Sequence, residues 1–217
     1  MIQINFEKQT KDGLNILCLG AHSDDIEIGC GGTILKLLSQ KKVSHIHWIV
    51  FSASGQRKRE ARVCADRFLE SMKSKKVVVK QFKDGFFPYI GSQIKEAFEE
   101  LKCEIDPDII FTHYRNDLHQ DHRVISELAL NTYRNQLILE YEILKYDGDI
   151  GNPNLYSCLD AALCKQKINV VMDSFKSQLG HQWFDEETFR SLMRLRGIEA
   201  NSPGRYAEAF YCRKAIF

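Results

Sequence analysis

Short apolar runs of strand length alternate along the chain with stretches whose apolar residues recur every three or four positions. NILCLG (15–20), SHIHWIVFSA (44–53), KKVVVKQF (75–82), DIIFTH (108–113) and QLILEYEILKY (136–146) are of the first kind, and they predict five buried strands. GGTILKLLSQKK (31–42) places Ile34, Leu35, Leu37 and Leu38 on one helical stripe. QRKREARVCADRFLESM (56–72) predicts a helix with Val63, Phe68 and Leu69 inward, and GSQIKEAFEELKCE (91–104) predicts one opened by a serine cap, with Leu101 on its apolar face. A fourth helix is expected over about 121–134, and further helices over 162–178 and 185–196. AEAFYCRKAIF (207–217) reads as a closing strand. YDGDIGNPNLYS (146–157) holds the densest Gly, Asn and Pro punctuation and reads as a turn or lid beside the site. Strands alternating with helices predict parallel pairing through right-handed crossovers. The expected fold class is α/β, a Rossmann-like open, mostly parallel sheet with helices on both faces, built as one domain over 1–217.

In such a sheet ligands bind outside the carboxyl ends of the strands. This chain puts its unusual residues there. His22, Asp24 and Asp25 follow the first strand, and HYRNDLHQDHR (113–123) follows the fourth, so two polar clusters about a hundred residues apart are expected on one rim. Neither contains a serine or cysteine in a nucleophile-elbow setting. His22 and Asp25 lie three apart on a turn into a helix and can address one atom. His119 and His122 repeat that spacing, so that one ring can ligate while the other faces a substrate. A catalytic zinc commonly takes three such N/O ligands and leaves a position for water, whose pKa it lowers from ~16 toward ~7. If Asp25 ligates, Asp24 is left free beside that water. The rival is a phosphate-binding loop, since GCGG (29–32) is expected to open a helix. Its spacing matches neither common phosphate-loop pattern, and Asp24, Asp25 and Glu27 would set like charge against an anion. The glycines are better explained by tight strand-to-helix packing.

Composition narrows the partners. Thirty basic residues against twenty-nine acidic give a net charge of +1 over 217 residues, with 44% hydrophobic content, so no whole-protein field gathers nucleic acid or an anionic membrane. The basic run at 56–62 is short and mixed, as a solvated helix face would be. Seven scattered cysteines without a C-x-x-C pair argue against a disulfide framework and a cysteine zinc site, and for reduced, mostly buried thiols. MIQINFEKQTKDG (1–13) lacks the apolar core of a signal peptide, and no run approaches the ~20 apolar residues of a membrane span, so a soluble cytoplasmic protein is expected. A monomer and a homo-oligomer are equally compatible with the sequence.

The two clusters carry a family resemblance. AHSDDIEIGCGG resembles the A-H-P-D-D-x-x-x-G-x-G-G signature of the PIG-L/LmbE-like N-acetylglucosamine deacetylases, and THYRNDLHQDHR resembles their T-H-x-x-x-D-x-H-P-D-H-R. SASGQRKREARVCA, NPNLY, KSQ (176–178) and RGIEANSPGRYAEAF resemble later segments in the same order, so the resemblance spans nearly the whole chain. It implies a zinc hydrolase that removes acetyl from a small-molecule N-acetylated amino sugar, free, on a nucleotide or in a glycoconjugate. By that resemblance His22, Asp25 and His122 are the ligands of one Zn2+ per chain. Asp24 is the general base toward the metal-bound water, and His119 stabilises the oxyanion as imidazolium. The resemblance puts Asp121 and Asp117 behind these residues or on substrate hydroxyls, and Arg57 near the substrate. It leaves open whether Asp24 or His119 protonates the leaving amine. Iron(II) and cobalt also suit His and carboxylate ligands.

The chain departs from the pattern at Ser23 and Gln120, where proline is usual, and at Gln56, where many members have Glu. No ligand or base is removed, so the site is expected to be active. A metal phosphoesterase, which would usually need two ions, and a non-catalytic sugar-binding relative are the alternatives. His45 and His47 alternate with Ile46 and Trp48 and are expected to be structural, as is His113 at the end of its strand.

Overall fold

The computed structural model describes residues 13–216; the segment read above for a leader lies outside them except for Gly13. The five expected strands are present as β1 (Leu14–Gly20), β2 (Val43–Val50), β3 (Lys75–Val79), β4 (Ile109–His113) and β5 (Leu137–Tyr141). They pair in parallel in the order β3-β2-β1-β4-β5. The connecting helices are α1 (Asp25–Ser39), α2 (Gly55–Phe68), α3 (Gly91–Glu104) and α4 (Gln120–Thr132). Beyond β5 the sheet becomes antiparallel: β7 (Tyr206–Cys212) lies between β5 and β6 (Leu155–Leu159) and runs against both. Two helices, α5 (Ala161–Ser174) and α6 (Glu186–Glu199), separate β6 from β7 in sequence. The sheet is therefore mixed and mostly parallel, as expected.

The period of two along β1 feeds two cores. Ile16 and Cys18 pack with Ile26, Cys30 and Ile34 of α1 and with α2 and α5, while Leu17 and Leu19 pack with Ile94 and Phe98 of α3 and Ile125 of α4. A strand buried on both faces needs the continuous apolar run that NILCLG supplies.

Several expectations need correction. Val63 is 53% exposed; α2 turns Ala61, Cys64, Ala65 and Phe68 inward, packing through one large ring and three small side chains. Ser92 does not cap α3, which starts one residue earlier at Gly91 and has no side-chain cap. The fifth strand stops at Tyr141, since Glu142 leaves the ladder to pair with Arg196. Residues 155–157, read as loop, belong to β6. Most relevant to the site, α1 begins at Asp25, so GCGG sits inside the helix rather than opening it. A Cβ on Gly29 would lie 2.2 Å from the Tyr141 ring, so glycine is what allows α1 to cross β5 there. Tyr141 in turn donates its hydroxyl to the Leu19 carbonyl (2.6 Å) at the end of β1.

The chain leaves β1 toward β2 and β3 on one side and fills β4 and β5 on the other. The strand order thus reverses between β1 and β4, and the crevice at their carboxyl ends receives both polar clusters.

Candidate metal centre

Residues 21–24 make a tight turn between β1 and α1, closed by the His22 N–H donating to Asp25 Oδ2 (2.6 Å). Beyond the neighbouring strand β4, His119 is the N-cap of α4, its Nδ1 accepting the Asp121 N–H (3.2 Å). All eight residues singled out from the sequence come together here. His22, Asp24, Asp25, Asp117, Asp121 and His122 are buried, His119 is half-buried, and Arg57 reaches in from α2.

Three carboxylates on the outer nitrogens of the imidazoles orient the two rings. His122 Nδ1 donates to Asp117 Oδ2 (2.9 Å), leaving Nε2 as the acceptor. His22 Nε2 faces Asp84 Oδ1 (3.0 Å) and Asp121 Oδ2 (3.3 Å), so Nδ1 is the nitrogen turned toward His122. Burial lowers His22, but Asp121, Asp25 and Asp84 outweigh it and hold the ring well above its ordinary value, so a proton sits where a cation would replace it. His22 Nδ1 and His122 Nε2 are 3.1 Å apart. The Asp25 carboxylate completes the triangle with both oxygens, Oδ2 3.5 Å from His22 Nδ1 and Oδ1 3.6 Å from His122 Nε2. Three acceptors facing one another repel unless a proton or a cation lies between them. Ligand atoms ~2.05 Å from a tetrahedral zinc stand ~3.3 Å apart, so a single divalent ion fits this triangle. Three groups with mutually close ligand atoms overlap the triangle without containing all of it: His22 with His119 and His122, Asp25 with His113 and His122, and His22 with Asp84 and Asp121. In the last of these, His22 would have to ligate through the nitrogen that faces the two carboxylates.

The electrostatics separate the adjacent aspartates. Burial raises the Asp25 carboxyl, but the neighbouring His122 and His113 outweigh it and hold the group well below the usual range, as an anion. Asp24 goes the other way, pushed up to about 6 by burial and then by the Asp25 charge, with Arg57 and His22 opposing. Its Oδ1 accepts from Arg57 Nη2 (3.3 Å), while Oδ2 is buried without a partner among the described residues. Glu27, one turn further along α1, is held well above its ordinary range by burial and the charges of Asp24 and Asp25, hence neutral. His119 is lowered by burial and by His22, and with Nδ1 accepting the Asp121 N–H, Nε2 is the ring nitrogen left for other partners.

Four contributors escaped the sequence reading. His113 accepts the Ala21 N–H at Nε2 (2.9 Å), the structural bond expected of it, yet the same nitrogen is 3.2 Å from Asp25 Oδ2 and its ring stacks on His122. Asp84 comes from the loop after β3, which Asp121 anchors by accepting from the Gly85 and Phe87 N–H groups (2.7 and 3.1 Å). Lys145, in the loop after β5, is 3.0 Å from Asp117. Tyr141 positions the end of β1. No local pattern marks Asp84, Lys145 or Tyr141, because each acts through a contact distant in sequence; His113 stands inside the second signature but reads from sequence as structural alone. The expected lid is beside the site, with Asp149 accepting the Leu118 N–H (2.7 Å).

The PIG-L family model, described as GlcNAc-PI de-N-acetylase, matches residues 17–133, more than half of the chain and both signatures. The chain belongs to the PIG-L family. Solved structures agree on the fold. A conserved Thermus thermophilus protein is 19% identical with a TM-score of 0.72, covering 94% of this chain and 96% of its own. N,N'-diacetylchitobiose deacetylase from Pyrococcus horikoshii is 20% identical with a TM-score of 0.66, covering 92% of this chain and 84% of its own. The 4-carboxy-2-hydroxymuconate hydratase of Pseudomonas putida is 15% identical with a TM-score of 0.70, covering 94% and 98%. A fold that carries both a deacetylase and a hydratase leaves the reaction to be argued from side chains. All seven cysteines are free thiols, and among the described residues no helix is long and apolar enough to cross a membrane.

Proposed function

We propose that the chain is a metal-dependent N-deacetylase of an N-acetylated amino sugar, with His22, Asp25 and His122 holding one zinc ion. The observation that carries this reading is the convergence of His22 Nδ1, His122 Nε2 and the Asp25 carboxylate beside the buried Asp24 Oδ2, which has no partner among the described residues. A bound divalent ion would polarise the acyl oxygen and make water acidic enough to lose a proton near neutrality.

The chain's own residues supply the rest. Asp24 Oδ2 accepts the proton of the attacking water, and a carboxyl brought near 6 by burial and Asp25 is well matched to taking and returning it. Arg57 holds the other oxygen, so the free one keeps its direction. His119 donates Nε2–H to the developing oxyanion, with ring orientation fixed by the α4 N-terminus. Hydrolysis balances when the proton collected from water reaches the departing amine nitrogen and acetate leaves. Asp117 and Asp121 fix the tautomers of His122 and His22.

A panel of N-acetylated sugars and sugar nucleotides, assayed for acetate with and without chelator, tests the proposal. Acetate release that chelator abolishes and zinc restores is expected. Chelator-insensitive release, or water addition to an unsaturated acid instead, would overturn it.

A further inference from the structure

Asp117 Oδ2 is shared. The same oxygen that accepts His122 Nδ1–H (2.9 Å) is 3.0 Å from Lys145 Nζ, while Oδ1 accepts the His119 N–H (2.8 Å). Both Asp117 and Lys145 are largely withdrawn from solvent, with side chains 3% and 12% exposed. Lys145 also pairs with Asp149, which anchors Leu118 beside His119.

Resting on the zinc reading above, we propose that Lys145 is a positioning residue that sets how tightly the centre holds its cation, acting on His122 through Asp117. A carboxylate on the outer N–H of a ligating imidazole makes the inner nitrogen a stronger donor. An ammonium on the same oxygen takes up part of that carboxylate's charge and weakens the effect. It also adds a positive charge close to a cation site, where screening by water is poor. Both effects act in the same direction, so the centre is looser, and its ion more electron-withdrawing, than the His122–Asp117 pair alone would make it. Asp149 works against Lys145 by sharing its charge.

The sign of the change separates this role from a structural one. A latch that merely held the loop would, when cut, misplace Asp117 and weaken metal binding whichever partner was removed. Charge tuning demands opposite responses. The experiment is a competition titration of metal-stripped protein with Zn2+ against a chromophoric chelator at fixed pH, with circular dichroism confirming the fold. Lys145→Gln, which keeps a donor but loses the charge, and Lys145→Met are expected to bind zinc about 5- to 10-fold more tightly than the parent, at the low end of outer-shell effects. Lys145→Arg should match the parent, and Asp149→Asn, which leaves the whole ammonium to Asp117, should bind more weakly. Unchanged or weaker binding by both uncharged variants would overturn the proposal. Should those variants not fold, Asp149→Asn decides, and unchanged or tighter binding there would overturn it. A parent protein that binds no zinc at all would instead remove the zinc reading itself.

Discussion

Ser23 stands where the family's first signature usually carries proline, and it does something proline cannot. Its buried hydroxyl accepts Arg57 Nε–H (2.9 Å) while Nη2 of the same guanidinium reaches Asp24 (3.3 Å), so two adjacent residues aim Arg57 across the mouth of the site. From sequence the serine reads only as a change in loop stiffness; its partner is thirty-four positions away. Ser23→Ala is expected to raise KM about 3- to 10-fold, the size of one partly exposed hydrogen bond to a charge, with kcat within about twofold and with Ser23→Thr restoring the parent value. A steady-state comparison of the three proteins checks this, and an unchanged KM in Ser23→Ala would show that Arg57 needs no such support. The meeting of His22, Asp25, His119 and His122 on one rim was legible in advance because each pair sits at fixed spacing just after a strand; their proposed division into ligands and oxyanion partner comes from the family resemblance. Asp84 and Lys145 were not, since turn-like loops carry no periodicity to betray a side chain that works on a distant partner.

The elements themselves were legible wherever burial is uniform. β1 to β4 emerge from continuous apolar runs, whereas Val63 misleads because α2 packs through alanine and cysteine, and β6 hides in a segment rich in turn residues. The helix that matters most is α1, whose first turn carries Asp25 and whose middle crosses Tyr141 at Gly29. Gly29→Ala is expected to destabilise the protein by about 1–3 kcal/mol in urea unfolding, because the added methyl meets a ring that is held by Leu19. The same change should loosen zinc binding by moving Asp25. On β2, His47 is expected to add a pH dependence unrelated to the site. Burial, then the charge of His45, lowers its ring to about 4 against an ordinary value near 6.5. The folded protein therefore takes up this proton less readily than the unfolded chain, so the contribution is fully present above about pH 6.5 and is lost as pH falls toward 4. His47→Asn should reduce the loss of stability between pH 7 and pH 5 by about 1–2 kcal/mol relative to the parent, and identical pH profiles for the two would contradict the shift.

At the scale of the whole molecule, the reversal of strand order between β1 and β4 brings two distant motifs to one crevice, and mutual repulsion among their acceptors leaves room for a cation. The parallel pairing of β1 to β5 follows from their alternation with helices, while their order, and the antiparallel β6 and β7, rest on pairings that local pattern does not encode. Because the centre ties α1 to α4, zinc at about 100 times its Kd should stabilise the fold by about 2.7 kcal/mol. Chelator is then expected to lower Tm by about 5–10 °C, reversibly on adding zinc, whereas a Tm indifferent to both would argue against an ion between these elements. The central claim is that Asp24 and Asp25 are adjacent but not equivalent, one an acceptor of protons and the other an anchor for the ion. The most direct test is to measure bound zinc and acetate release on the same preparations of parent, Asp24→Asn and Asp25→Ala. Asp24→Asn is expected to retain one zinc per chain while losing about 10²- to 10⁴-fold in kcat, and Asp25→Ala to lose both metal and activity. Parent-like turnover in Asp24→Asn, or a full zinc complement in Asp25→Ala, would contradict it.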